Sequence, residues 1–190
     1  MMMHRTDLIN DLKTRTEEII HGMGMFTSLS IDELNRRNSP NSWSILECLE
    51  HLNRYRDFYL PEIDTRLNKA QVSNNELFNS GWLGNYFALS MLPGENGKLN
   101  KMKTFKSMNP IHSQLSLEVI TKFLDQQKQL LQLLTRAQQV DLKRVKTSIS
   151  ISKWIKLRLG DTLRVVVYHN QRHMKQARNV LSGAKVKVNI

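Results

Sequence analysis

Two histidines four residues apart, His169 and His173, are the first residues in this 190-residue chain whose spacing offers chemistry. On a helix they differ by about 40° in direction, so both imidazoles reach one point. That spacing suits a metal ion, as in zinc helices that present two histidines. Val166, Val180, Leu163, Val167 and Met174 form the apolar stripe around them, with Arg164, Lys175 and Arg178 on the opposite side. The pair therefore stands at the inner edge of a buried face. Unpartnered imidazole nitrogens are costly there. A shared metal satisfies them, and so do separate hydrogen bonds to carbonyls or water. His51 is the best third ligand, because it borders the apolar face of another helical segment beside Tyr55, Cys48 and Phe58. Three histidines with an open fourth position match the catalytic zinc pattern, unlike the closed structural one. The open position takes water or a substrate atom.

Other residues near these three each read two ways. Glu47, one turn before His51, either acts as a general base or caps its helix. Gln176 either orients a histidine ligand or bonds across helices. Arg172 lies beside the ligands and either meets an anionic substrate or cofactor or faces solvent. Cys48 is a ligand, a reactive thiol or, most often in such a place, a small core residue. Tyr55 either donates to a substrate oxygen or packs in the core, and Trp43 anchors the start of the helix. Gln127 interrupts an apolar stripe, as a polar group in a cavity or as a satisfied core amide. His4, His21 and His112 have no matching partners and read as surface or capping residues.

Four long helical patterns must position these side chains. The first runs from about Thr6 to Phe26, weakened at its end by Gly22 and Gly24, and a short helix follows at 31–37. The second opens at Ser44 with the capping box Ser44-Ile45-Leu46-Glu47, meets a kink or break at Pro61, and resumes to about Ala70. Residues 71–115 are irregular, with turn signals at Asn74-Asn75, Pro93-Gly94, Asn96-Gly97 and Asn109-Pro110 and room for a short helix over 82–91. A connection this long in a compact domain is usually functional or a lid. The third helix spans about 116–139. Residues 147–159 read as loop or short extended segment. The fourth helix takes Asp161 as its N-cap and closes at Ser182-Gly183. The expected fold is all-α: a four-helix bundle occupying 1–190 as a single domain, its site built from side chains projecting inward.

The same residues carry a resemblance. Trp43-Ser44-Ile45-Leu46-Glu47-Cys48-Leu49-Glu50-His51-Leu52 resembles the W-S-x-x-E-x-x-x-H-L signature of the DinB/YfiT-like superfamily. His169-Asn170-Gln171-Arg172-His173-Met174-Lys175-Gln176-Ala177 resembles its H-N-x-R-H-x-x-Q-A segment, and Asp161-Thr162-Leu163 fits its helix start. The resemblance implies a four-helix bundle holding a divalent metal on His51, His169 and His173. It also implies membership among metal-dependent hydrolases and S-transferases or isomerases that use bacillithiol, mycothiol or glutathione. No residue of 71–115 is carried over from it.

Composition bounds what remains. Hydrophobic residues at 40% and charged residues at 24% exclude wholesale disorder. The single cysteine cannot form an internal disulfide and fits a reducing compartment. No apolar run approaches a membrane span and the N-terminus lacks the apolar core of a signal peptide, so a cytoplasmic location is expected. Residues 141–190 hold twelve of the 28 Lys/Arg against Asp141 and Asp161, which is +10 of the net +11. That asymmetry fits a solvated face, a rim attracting a small anion, or a nucleic-acid face. The absence of an Arg/Lys-rich block argues against nucleic acid. The expected protein is a metal-dependent hydrolase or thiol S-transferase. It would use zinc or nickel, with a low-molecular-weight thiol as a second candidate cofactor and a small, anionic molecule as candidate substrate. The alternative is a non-catalytic stress-response or nucleic-acid-associated bundle. Trp82, Leu83, Tyr86, Phe87 and Leu89 fit either a homodimer contact or a cover over the bundle's open end.

Overall fold

The computed structural model describes residues 2–94, 99 and 102–188. The chain is mostly helical: α1 (Arg5–Gly22), α2 (Gly24–Thr27), α3 (Ile31–Asn35), α4 (Ile45–Asn68), α5 (Trp82–Met91), α6 (Glu118–Ala137) and α7 (Leu159–Val188). Two small antiparallel sheets accompany them. β1 (Met2–His4) pairs with β2 (Leu77–Asn79), and β3 (Lys146–Ile149) pairs with β4 (Ser152–Arg158). The Asn96-Gly97 turn signal lies outside the described residues.

The four long helices are α1, α4, α6 and α7. Both α1 and α4 pack against α6 and α7, which places α1 and α4 on one diagonal of the bundle. α4 runs antiparallel to α7. Its late residues meet the hairpin that leads into α7, where Glu62 accepts from the Ser148 amide at 2.7 Å and the Tyr59 hydroxyl from the Ser150 amide at 3.3 Å. Its first turns share a core cluster with Met174 and Ala177.

The core is split into two apolar clusters. One gathers Leu8, Leu12, Ile63, Leu67, Leu134 and Leu163; the other Ile19, Met23, Ile45, Leu49, Phe123 and Val180. Between them every long helix carries buried polar residues: Thr16 on α1, Asn53 and Arg56 on α4, Gln126 and Gln127 on α6, Asn170 and His173 on α7. A polar layer thus crosses the middle of the bundle, and the three candidate histidines belong to it.

Several local expectations change. α4 continues through Pro61, which sits on the exposed face. There the missing N–H leaves only the Asp57 carbonyl without its helical partner, and Asp57 is itself exposed. Residues 147–159 form most of a β-hairpin with an irregularity between Ser148 and Ile149. This is the extended one of the two readings: Ile149-Ser150-Ile151-Ser152 and Ile155-Lys156-Leu157-Arg158-Leu159 alternate apolar with polar, and only Lys153-Trp154 at the start of β4 breaks the period of two.

Asp161 is not the N-cap of α7, which starts two residues earlier. The leading amides of that helix already have partners: Leu159 N–H donates to Val145 O and Gly160 N–H to Leu142 O. Asp161 instead accepts from the Ser80 hydroxyl, from the Gly81 amide (2.7 Å) and from Arg164 (3.4 Å), tying the start of α5 to α7. Gly84 permits this approach, because a Cβ there would lie 2.5 Å from Asp161. Arg164, expected on the solvent side, is 1% exposed and pairs inward with Asp161 and Asn85. Nor does Gly183 end α7: the helix runs on to Val188, and the bare Cα lets Asn38 reach Val180 O at 3.1 Å.

Removing one member of a buried ion pair leaves the other charge uncompensated. Asp161→Ala is therefore expected to lower unfolding free energy by about 3–5 kcal/mol, measured from urea denaturation. Asp64→Ala, at an exposed pair with Arg136, should cost at most about 1 kcal/mol.

Candidate metal centre

His51 sits on the second turn of α4, and His169 and His173 face it from the middle of α7. Their Nε2 atoms converge: His169 Nε2 is 3.2 Å from that of His51 and 3.0 Å from that of His173. Among the described residues these three form the group able to hold a metal ion, with neither Cys48 nor Glu47 in it.

The other ring nitrogen decides what each Nε2 can do. His51 Nδ1 donates to the Met108 carbonyl at 2.7 Å, an acceptor only, so the proton is on Nδ1 and Nε2 presents a lone pair. His173 Nδ1 donates to Gln176 Oε1 at 2.9 Å, with the same consequence. Two lone pairs therefore face His169 Nε2, which can donate to one of them at most. A cation at the convergence point satisfies all three nitrogens. His51, His169 and His173 are the residues that would hold such an ion, each through one ring nitrogen, all within 4.8 Å of one another. Three imidazole donors would leave a bound divalent ion able to take a further ligand.

Burial reinforces the neutral state that a metal requires. Desolvation pushes His51 down to about 4, against a smaller upward pull from Met108. His169 and His173 are held well below the usual histidine range, first by burial and then by their histidine neighbours. Aromatic rings close the surroundings. Trp43 lies 4.6 Å from the His51 ring and 5.6 Å from that of His173, and Tyr55 meets His51 and His169 edge-on at 4.9 and 5.0 Å. Burial raises the Tyr55 phenol, which stays protonated.

Glu47 is buried and occupied. Its carboxylate takes two bonds from Arg37 and caps the Ser44 amide at 2.8 Å, and these bonds hold it below the usual range despite burial. It braces the first turn of α4, the capping role, and does not border the cavity beside the histidines. Gln176 sets His173, as above. Arg172, 6% exposed, lines the cavity wall. Cys48 is fully buried among apolar side chains, and desolvation pushes its thiol far up, so it is inert core. Trp43 is a wall of the site as well as a helix anchor, donating to Asn109 at 3.1 Å.

A cavity of about 800 Å³ opens beside the histidines, within the usual size of small-molecule sites. Phe87 and Met91 of α5 and Ile149 and Leu157 of the hairpin line it, together with Val165 and Val166. α5 covers the cavity on that side while Trp82 and Tyr86 point outward, 85% and 63% exposed. Sequence reasoning missed Met108, Arg54 and Arg56. The Met108 carbonyl has no sequence signature. It is held by a 3-10 turn (Lys106–Met108) that Arg54, itself paired with Glu50, clasps through the Asn109 carbonyl at 3.2 Å. In the sequence Arg56 stands between the charged residues Arg54 and Asp57, which gives no sign of its burial.

The family model described as DinB superfamily matches residues 23–177, a stretch that contains all three histidines and Gln176. No curated protein and no solved structure matches the chain. Among the described residues no helix is long and apolar enough to cross a membrane.

The depressed histidines make a pH prediction. Their folded pKa lies below the unfolded value of about 6.5, so the unfolded chain binds more protons below that pH. Stability is complete above pH 6.5 and is lost as pH falls toward 4, the value for His51. Urea midpoints of chelator-treated protein are expected to fall across that window, and His51→Phe to flatten part of the fall.

Proposed function

The chain belongs to the DinB superfamily, and from that premise we propose that it binds one divalent ion per chain between His51, His169 and His173 and acts as a metal-dependent enzyme, either a hydrolase or a low-molecular-weight-thiol S-transferase. One observation carries this reading: three Nε2 atoms converge, two of them with lone pairs committed by Nδ1 bonds to Met108 and Gln176. Imidazole donors suit zinc and nickel. A divalent ion held there supplies Lewis-acid activation of a water or a thiol at neutral pH.

The chain's own residues have distinct parts in this reading. Met108 O and Gln176 Oε1 fix which nitrogen of each ligand is bare, the usual role of groups behind metal-bound histidines. Trp43 and Tyr55 keep bulk water off the convergence point, which strengthens every electrostatic contact inside it. Tyr55, protonated and on the cavity wall, donates to a substrate oxygen. Glu47 acts through position, holding the turn that presents His51. Arg172 lines the wall as a cation toward an anionic substrate.

Elemental analysis of untagged protein tests the reading. We expect one zinc or nickel per chain in wild type and none in His51→Ala or His173→Ala. Wild type that stays empty after incubation with excess of both metals would sink it. Gln176→Leu should lower metal affinity by about 10–100-fold without abolishing binding, read by competition with a chromophoric chelator.

A further inference from the structure

Arg56 is among the largest side chains fully inside the bundle, at 2% exposure, and it borders the cavity. Its guanidinium lies over the Phe123 ring at 4.7 Å. With the Gln127 amide oxygen turned toward it, as the donors there require, both Nη atoms reach that oxygen, Nη1 at 3.1 Å. Nε has no hydrogen-bond partner. Every one of these neighbours is neutral. Among the described residues no acidic side chain pairs with Arg56, and no Asp or Glu lines the cavity.

A desolvated guanidinium without a counter-ion is unfavourable. Burial alone lowers it to about 9, which leaves it charged at neutral pH. It shares the cavity lining with His51 and His169. Phe87, Met91, Ile149, Leu157, Val165 and Val166 give the cavity an apolar side, and Arg172 and Lys103 are the other cations on its lining. Arginine, planar and weakly hydrated, is the side chain suited to pair bidentately with a carboxylate out of water.

We propose that Arg56 receives a carboxylate of the substrate, and that the substrate is an amphipathic carboxylate whose apolar part lies against the apolar side of the cavity. The assignment rests on the enzyme reading for the cavity's purpose, but the anion contact itself needs no metal. Its neutral partners explain why the charge is kept buried: the counter-charge arrives with the ligand. Gln127, the polar interruption in the α6 stripe, holds the guanidinium in place until then.

Calorimetric titration with octanoate and its neutral isostere octanamide tests this, at pH 7.5 on chelator-treated and zinc-loaded full-length protein. Wild type is expected to bind octanoate at least about tenfold tighter than octanamide in both states. Arg56→Met should bring the two within about twofold and leave the urea midpoint no lower than wild type, because an uncompensated charge is gone. Arg56→Lys should keep a reduced preference, and it decides the matter with wild type if the methionine variant does not fold. Equal binding of the two probes by wild type overturns the proposal, as does a preference that survives in Arg56→Met. A preference seen only in zinc-loaded protein assigns the anion to the metal and overturns it too. His51→Ala retaining the preference in chelator separates failure of the metal reading from failure of this one.

Discussion

The structure turns on a layer of polar groups held between two apolar clusters, where most of them are shielded from bulk water. Nitrogen lone pairs in such a place must be matched by a proton or a cation. Met108 and Gln176 each take the proton of one imidazole and so turn its other nitrogen toward a shared point. The three histidines are then mutually unsatisfied by protons alone. Helix packing supplies the rest of the constraint, because α4 and α7 must run antiparallel and in register for His51 to face His169 and His173.

That register is guarded at both ends. Near the histidines, Ser44 and Glu47 close the first turn of α4 while Arg37 clamps the same carboxylate from the preceding loop. At the other end, Asp161 and Arg164 tie α5 onto α7, and Tyr59 and Glu62 of α4 hold the hairpin that feeds α7. The irregular region thus contributes to the site through backbone and cover. Its 3-10 turn offers a carbonyl to His51, and α5 closes the cavity wall.

Charge is arranged with the same economy. Two of the basic residues after residue 140 lie inside the molecule. Arg164 is spent inside an ion pair and Arg172 reaches the cavity wall. With Arg56, the cavity carries cations on a wall that has no acidic side chain among the described residues. On the proposed reading these cations face an anionic ligand, and a pocket shielded from water strengthens that attraction relative to an exposed basic patch.

The sequence by itself determined the four long helices, the capping box at Ser44, the short helix over 82–91 and the three histidines, because each rests on local spacing. Periodicity places a residue on a face, and i, i+4 spacing places two side chains together, without reference to the rest of the chain. Only the tertiary structure decided what those faces meet. The pairing and register shift of the hairpin come from contacts between its strands, and α7 starts at Leu159 because distant carbonyls take its leading amides. Asp161 and Arg164 turned inward toward residues some 80 positions away. The Met108 carbonyl and the burial of Arg56 are likewise products of packing: a backbone oxygen is the same in every residue, and an arginine in a helix reads as solvated until its neighbours close over it.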